Sequence, residues 1–179
     1  MAEWSGFNPA FDDTEWDDAW SSVPVALVPP GEHPSGYRVE RGVMYEAMIF
    51  DRPYRLSAPF DARLLYDPEG RLWMSNTPQE HIMMCNNGRL SRGHVLIGGM
   101  GLGVYPQYAM PDGVGAATEF TVIEYSSVVR DIVLPTLQAV LTVPMNLYMG
   151  DIATFLAEPV SVQYDTIFLD TCLLYTSDA

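Results

Sequence analysis

The stretch "HVLIGGMGLGVYPQYA", His94 to Ala109, decides how the chain is read. An apolar run of strand character, His94–Gly98, breaks into alternating glycines at Gly99, Gly101 and Gly103, and an apolar run resumes at Val104 with helical character. A glycine-rich strand-to-helix turn lets the backbone approach a ligand that a Cβ atom would push away. The pattern predicts a ligand site at this turn.

Downstream the same rhythm repeats. "TEFTVIEY" reads as a second strand ending at Glu124. Ser126 is placed to cap a helix over "SVVRDIVLPTLQAV", with Val129, Ile132 and Val133 on one face. Pro135 is expected to kink that helix or end it early. "MNLYM" reads as a third strand, "DIATFLA" as a short helix, and "YDTIFLD" as a fourth strand running to Asp170. Strands alternating with helices of this length imply an α/β, Rossmann-like, doubly wound parallel sheet. Such sheets bind ligands at the carboxyl ends of their strands, where Gly99, Glu124, Asp151 and Asp170 all fall.

Upstream the pattern is β-rich. "YRVERGVMYEAMIF" reads as strand, and "ARLLYDPEGRLWMS" as two β runs around an Asp67–Gly70 turn. Thr77 and Pro78 then open a helix expected to stop near Asn87-Gly88. Residues 1–30 differ again: six acids, no base, and the aromatics Trp4, Phe7, Phe11, Trp16 and Trp20 at spacings that share a helix face. That composition suits a disordered acidic arm or a segment that binds a protein partner. The prolines and glycines of "VPVALVPPGEHPSG" suggest a linker. The expected organisation is therefore 1–36 arm and linker, 37–92 β-rich segment ending in a helix, 93–171 first half of a ligand-binding α/β domain, and 172–179 a foreign tail. "CLLYTSDA" resembles translated adapter read-through, and the natural chain is expected to diverge near Cys172, leaving the fourth strand with an open edge.

The 179 residues carry a net charge of −14; all nine basic residues are arginine. Without lysine there is no phosphate-binding P-loop and no Schiff-base chemistry. A nucleic-acid partner is not expected without a basic face. No apolar run spans a membrane, the acidic N-terminus is unlike a signal peptide, and two isolated cysteines argue for a reducing cytoplasm. His33, His81 and His94 show no ligand spacing. A dinucleotide fingerprint, G-x-G-x-x-G, fails here: its last glycine would be Val104 or Pro106.

"VLIGGMGLG", then "VIEYS", then "GD" and "YDTIFLD", resembles the class I S-adenosylmethionine-dependent methyltransferase fold, closest to its spermidine-synthase-like branch. The resemblance covers residues 93–171. It implies S-adenosylmethionine, or its decarboxylated form, as cofactor. Gly99, Met100, Gly101, Leu102 and Gly103 would form the turn under its methionine part. Glu124, with Tyr125 beside it, would accept hydrogen bonds from the ribose hydroxyls. Asp151 and the Ile152 N–H would face adenine, and Asp170 would be the acid that helps deprotonate an attacking amine. Ile97 departs from the acid many methyltransferases keep there. Methyl transfer to a small-molecule acceptor is the leading expectation, aminopropyl transfer the alternative, and a non-catalytic binding module or an NAD-binding oxidoreductase stands further off. The resemblance also admits a homodimer. The bland alternatives are turn glycines, solvated strand-end acids and, for Asp151, a helix N-cap.

Overall fold

The computed structural model describes residues 20–50, 52–158 and 162–170. The tail 172–179 and the aromatics Trp4, Phe7, Phe11 and Trp16 lie outside them. Among the described residues eight strands and four complete helices follow in order. The first sheet is antiparallel, β1 (Gly31–Glu32), β2 (Arg38–Ile49), β3 (Arg52–Tyr66) and β4 (Leu72–Ser75) in sequential order. Between β3 and β4 the Asp67–Gly70 turn closes with Gly70 N–H donating to Asp67 O at 3.0 Å. The hairpin is the one expected, its β3–β4 ladder short and its β2–β3 ladder long.

Helix α1 (Pro78–Leu90) links this sheet to the second one. Thr77 caps it by accepting from the Glu80 N–H, and Pro78 sits in its first turn. The helix does not stop at Gly88, as the sequence suggests, but runs to Leu90. Gly88 is there for close packing: a β-carbon would lie 2.8 Å from Tyr108 Cβ and 2.9 Å from its carbonyl carbon.

The second sheet is parallel. It comprises β5 (Arg92–Gly98), β6 (Ala116–Glu124), β7 (Met145–Met149) and β8 (Thr166–Leu169), with helices α2 (Val104–Ala109), α3 (Ser127–Val140) and α4 (Ile152–Ala157) in its crossovers. Spatial order is β7-β6-β5-β8, that is 3-2-1-4 in chain order of the sheet's own strands. This is the Rossmann-like arrangement expected from the alternating pattern. With right-handed crossovers, the rule for parallel strands, this order puts α2 and α3 on one face and α4 on the other. The reversal of order between β5 and β8 opens a crevice at their carboxyl ends.

Pro135 neither ends α3 nor stops its burial: Val129, Val133 and Leu137 are all buried, on both sides of the proline. The proline itself faces solvent, so its ring spoils one backbone hydrogen bond without entering the core. Ile132, expected on the buried face, is only partly buried there.

One core runs through both sheets, from Val39 and Leu65 of the antiparallel sheet to Val95, Ile97, Phe120 and Val122 of the parallel one. The stretch from Trp20 to Val28, expected within arm and linker, packs onto this core. Val28 is buried, and Trp20, Val23 and Val25 lie against the cluster. Its backbone polar groups are met by side chains of the folded body, so proline and glycine content alone misjudged it. Cys85 is buried in the core. Among the described residues no helix is long and apolar enough to cross a membrane.

Candidate functional site

The carboxyl end of β5 feeds directly into the glycine turn. Gly99, Gly101 and Gly103 have φ of 89°, 52° and 77°, the left-handed region that a side chain disfavours. Three reversals in five residues bring the turn back over the strand ends. Gly103 caps α2, and its N–H donates to Met100 O at 3.1 Å.

Glu124, the last residue of β6, is almost fully buried at 5% exposure. Its two oxygens take separate backbone donors. Oε2 accepts from Met100 N–H at 2.7 Å, and Oε1 accepts from Ser126 N–H at 2.7 Å. The residue expected to hold ribose hydroxyls thus anchors the turn itself. Tyr125 follows as an exposed side chain at the strand end. Ser126 accepts from Val129 N–H as the α3 cap, as its position suggested.

Asp170, just past β8, continues the parallel ladder by donating its N–H to Gly98 O at 2.8 Å. Its carboxylate lies against the turn: a β-carbon on Gly101 would come within 2.9 Å of Asp170 Oδ2. The side chain is open to solvent on one side. Even so, the protein packed around it, followed by the charge of Glu124, raises its pKa above the ordinary value.

Asp151 and Ile152 follow β7 at the start of α4. Asp151 is an exposed N-cap whose carboxylate accepts from the Ala153 and Thr154 N–H groups, which lowers its pKa. Ile152 packs back toward the strand ends, where its Cγ1 would stand 2.8 Å from a β-carbon on Gly98. Asp151 therefore fills the capping role that its position allowed, and the structure brings Gly99–Leu102 and Asp170 together around one crevice, with Glu124 hydrogen-bonded to Met100 of the turn.

Sequence reasoning missed Glu80. It sits in the first turn of α1, and burial pushes its pKa up to about 8, with the charge of Asp170 adding to the effect. Glu80 lines the crevice with Gly99, Met100, Gly101, Leu102 and Asp170. Tyr105 and Phe168 close its floor as a stacked pair, centroids 3.7 Å apart. The signal was present in "TPQEH", where an acid in the first turn of a capped helix reads as dipole compensation. Nothing local says that this turn faces a strand end about twenty to ninety residues downstream.

The crevice is tight, with a cavity volume of about 10 Å³, the space of one water molecule. Pockets for drug-sized ligands hold roughly 300–1,000 Å³. The crevice is far smaller than that, so a ligand of such size would have to lie along the open strand ends or widen it. The Glu124 and Asp170 carboxylates beside the glycine turn, with the largely protonated Glu80 near them, favour a cationic or hydroxyl-rich ligand and disfavour an anionic one. Among the described residues no group of three or more His, Cys, Asp or Glu side chains is arranged to hold a metal ion.

No family model and no curated protein matches this chain. A solved lysine cyclodeaminase, described as recognising L-lysine, L-ornithine and L-2,4-diaminobutyric acid, aligns over 90% of this chain and 52% of its own, at 13% identity and a TM-score of 0.39. The chain spans about half the length of that structure, and a likeness of this degree carries no argument about chemistry. What the geometry establishes is an α/β chain with a Rossmann-like parallel sheet and an acid-lined crevice at its switch point.

Proposed function

We propose that this chain binds a sulfonium-bearing adenosyl ligand, S-adenosylmethionine or its decarboxylated form, at the switch-point crevice and serves group transfer from it. The observation that carries the reading is the convergence of Glu80, Glu124 and Asp170 on the Gly99–Gly103 turn. A sulfonium and an amino group are cations, and both gain from nearby carboxylates. A dinucleotide pyrophosphate would meet Glu124 and Asp170 as a repulsive field, and no lysine exists to offset it.

In this reading the turn backbone lies under the ligand's methionine part, the lone pairs of Glu124 left free by its two backbone bonds meet ribose hydroxyls, and Asp151 lies toward the adenine. Methyl transfer asks for in-line positioning of acceptor and sulfonium and little else from the protein. The pairing of Glu80 with Asp170 favours a second reading, aminopropyl transfer to an amine. There the amine nitrogen bonds to carbon as the carbon–sulfur bond breaks, a thioether leaves, and a carboxylate takes the proton. Carboxyl groups with raised pKa values suit proton transfer near neutrality.

Calorimetric titration of S-adenosylmethionine, S-adenosylhomocysteine and NADH into the protein tests the proposal, with Glu124→Gln as the control. Micromolar binding of the adenosyl ligands that is lost in the variant supports it. Binding of NADH by a folded sample that ignores both adenosyl ligands overturns it.

A further inference from the structure

Helix α2, which follows the glycine turn, is fastened to the stretch Trp20–Val28. Gln107, 1% exposed, makes the central fastening. Its Oε1 accepts from Ala26 N–H at 2.7 Å, and its Nε2 donates to Ala26 O at 3.0 Å and to Gly103 O at 2.8 Å. One buried amide thus pairs both backbone groups of Ala26 and reaches the last glycine of the turn. Two flanking contacts hold the same stretch: Tyr108 Oη donates to Trp20 O at 2.9 Å, and Arg63 Nε donates to Val28 O at 2.8 Å.

The Tyr108 contact has a defined proton arrangement. Burial lowers the pKa of His81 to about 4, so its ring is neutral. Tyr108 spends its proton on Trp20 O, so its oxygen accepts from His81 Nδ1–H at 3.0 Å, which leaves Nε2 to accept from Asn76 Nδ2 at 3.3 Å. This part of the fastening therefore carries no charge to titrate near neutral pH. It is rigid backing.

We propose that Gln107 is a positioning residue for the ligand site: by cross-linking Ala26 to Gly103 it holds the glycine turn in its left-handed form. The proposal rests on reading the crevice as a ligand site, but its first test needs no ligand. A turn with three residues at positive φ has many other conformations to visit. The Gly103 carbonyl, fixed from behind, removes them. Glu124 fixes the same turn from the front through Met100, so the turn is held at both ends.

Hydrogen exchange on the unliganded Gln107→Met protein is the experiment. This variant keeps length and loses all three polar contacts. Exchange is expected to speed up about tenfold at Met100 and Gly103, the size of one lost hydrogen bond, while the β2–β3 amides keep their rates. Uniform acceleration through the chain, or none at the turn, overturns the proposal. The same variant is then titrated with S-adenosylhomocysteine and with 5′-methylthioadenosine, which lacks the amino acid part. Weakening of the first alone by about tenfold is expected. Equal loss of both marks a merely structural residue and overturns it.

Should wild-type protein bind neither ligand, the reading of the crevice fails while the exchange result still decides the role of Gln107. Where Gln107→Met does not fold, Gln107→Glu replaces it. Its protonated form can still donate one bond, so turn protection is expected to return as pH falls. Failure of both variants to fold overturns the proposal, because Gln107 would then be a requirement of the core.

Discussion

Glu124 Oε2 accepts from the backbone N–H of Met100 at 2.7 Å, tying the end of β6 to the turn that leaves β5. The same carboxylate accepts from Ser126 N–H at the start of α3. Glu124→Ala leaves two backbone donors without their partner in a buried place. The expected loss is about 2–4 kcal/mol, at roughly 1–3 kcal/mol per unmet group with water recovering part of it. Urea melts of the two proteins measure it. Glu124→Gln retains one acceptor and is expected to fall between them.

Glu80 predicts the pH dependence. Its folded pKa, about 8, stands above its unfolded value of 4.5, so the folded protein holds the proton more tightly. Stability is therefore expected to be greatest at low pH as far as this group goes. It should decline from about pH 4.5, where the unfolded chain ionises, to about pH 8, and then level. Asp170 adds a decline of the same sign, because its pKa is raised as well. Glu80→Gln should flatten the slope and be more stable than wild type at pH 8. A wild-type stability that rises steadily through this range would contradict the assignment.

Gly88→Ala sets two effects against each other. Alanine gains about 1 kcal/mol of helix propensity over glycine. The added β-carbon would stand 2.8 Å from Tyr108 Cβ and 2.9 Å from its carbonyl carbon. Backbone on α2 cannot yield as a flexible side chain does, and overpacking costs about 1–3 kcal/mol. Net destabilisation is expected in a thermal melt, and a rise in Tm would show that α1 and α2 can part freely.

Pro135→Ala goes the other way. The residue faces solvent inside α3, between the buried Val133 and Leu137. Alanine restores a backbone donor for the Asp131 carbonyl one turn earlier and relieves the ring's clash with it. A gain of about 1–3 kcal/mol is expected in urea melts. No gain would mean that the bend at the proline is needed to seat α3.

The helix starts were legible because their causes are local. Thr77, Ser126 and Asp151 each accept from N–H groups two or three residues ahead, and such caps can be read from a few letters. The helix ends and breaks were read less well. Gly88 looks like a stop and is a contact point for Tyr108, twenty residues away; Pro135 looks like a break and is outweighed by Val133 and Leu137 entering the core. The crevice was half legible: the glycines, Glu124 and Asp170 fall at strand ends by pattern alone, whereas Glu80 gave no sign of its place.

By itself the sequence determined the alternation of strand and helix, the caps, the antiparallel hairpin and the glycine turn. Each follows from side-chain periodicity or from the φ, ψ demands of a few neighbouring residues. Only the tertiary structure decided that Trp20–Val28 backs the turn, that Glu80 faces Asp170, and that Glu124 spends both oxygens on backbone donors. Apart from the Glu124–Ser126 bond, those relations join residues far apart in the chain. They arise because burying one continuous core forces distant polar groups to find partners where they land.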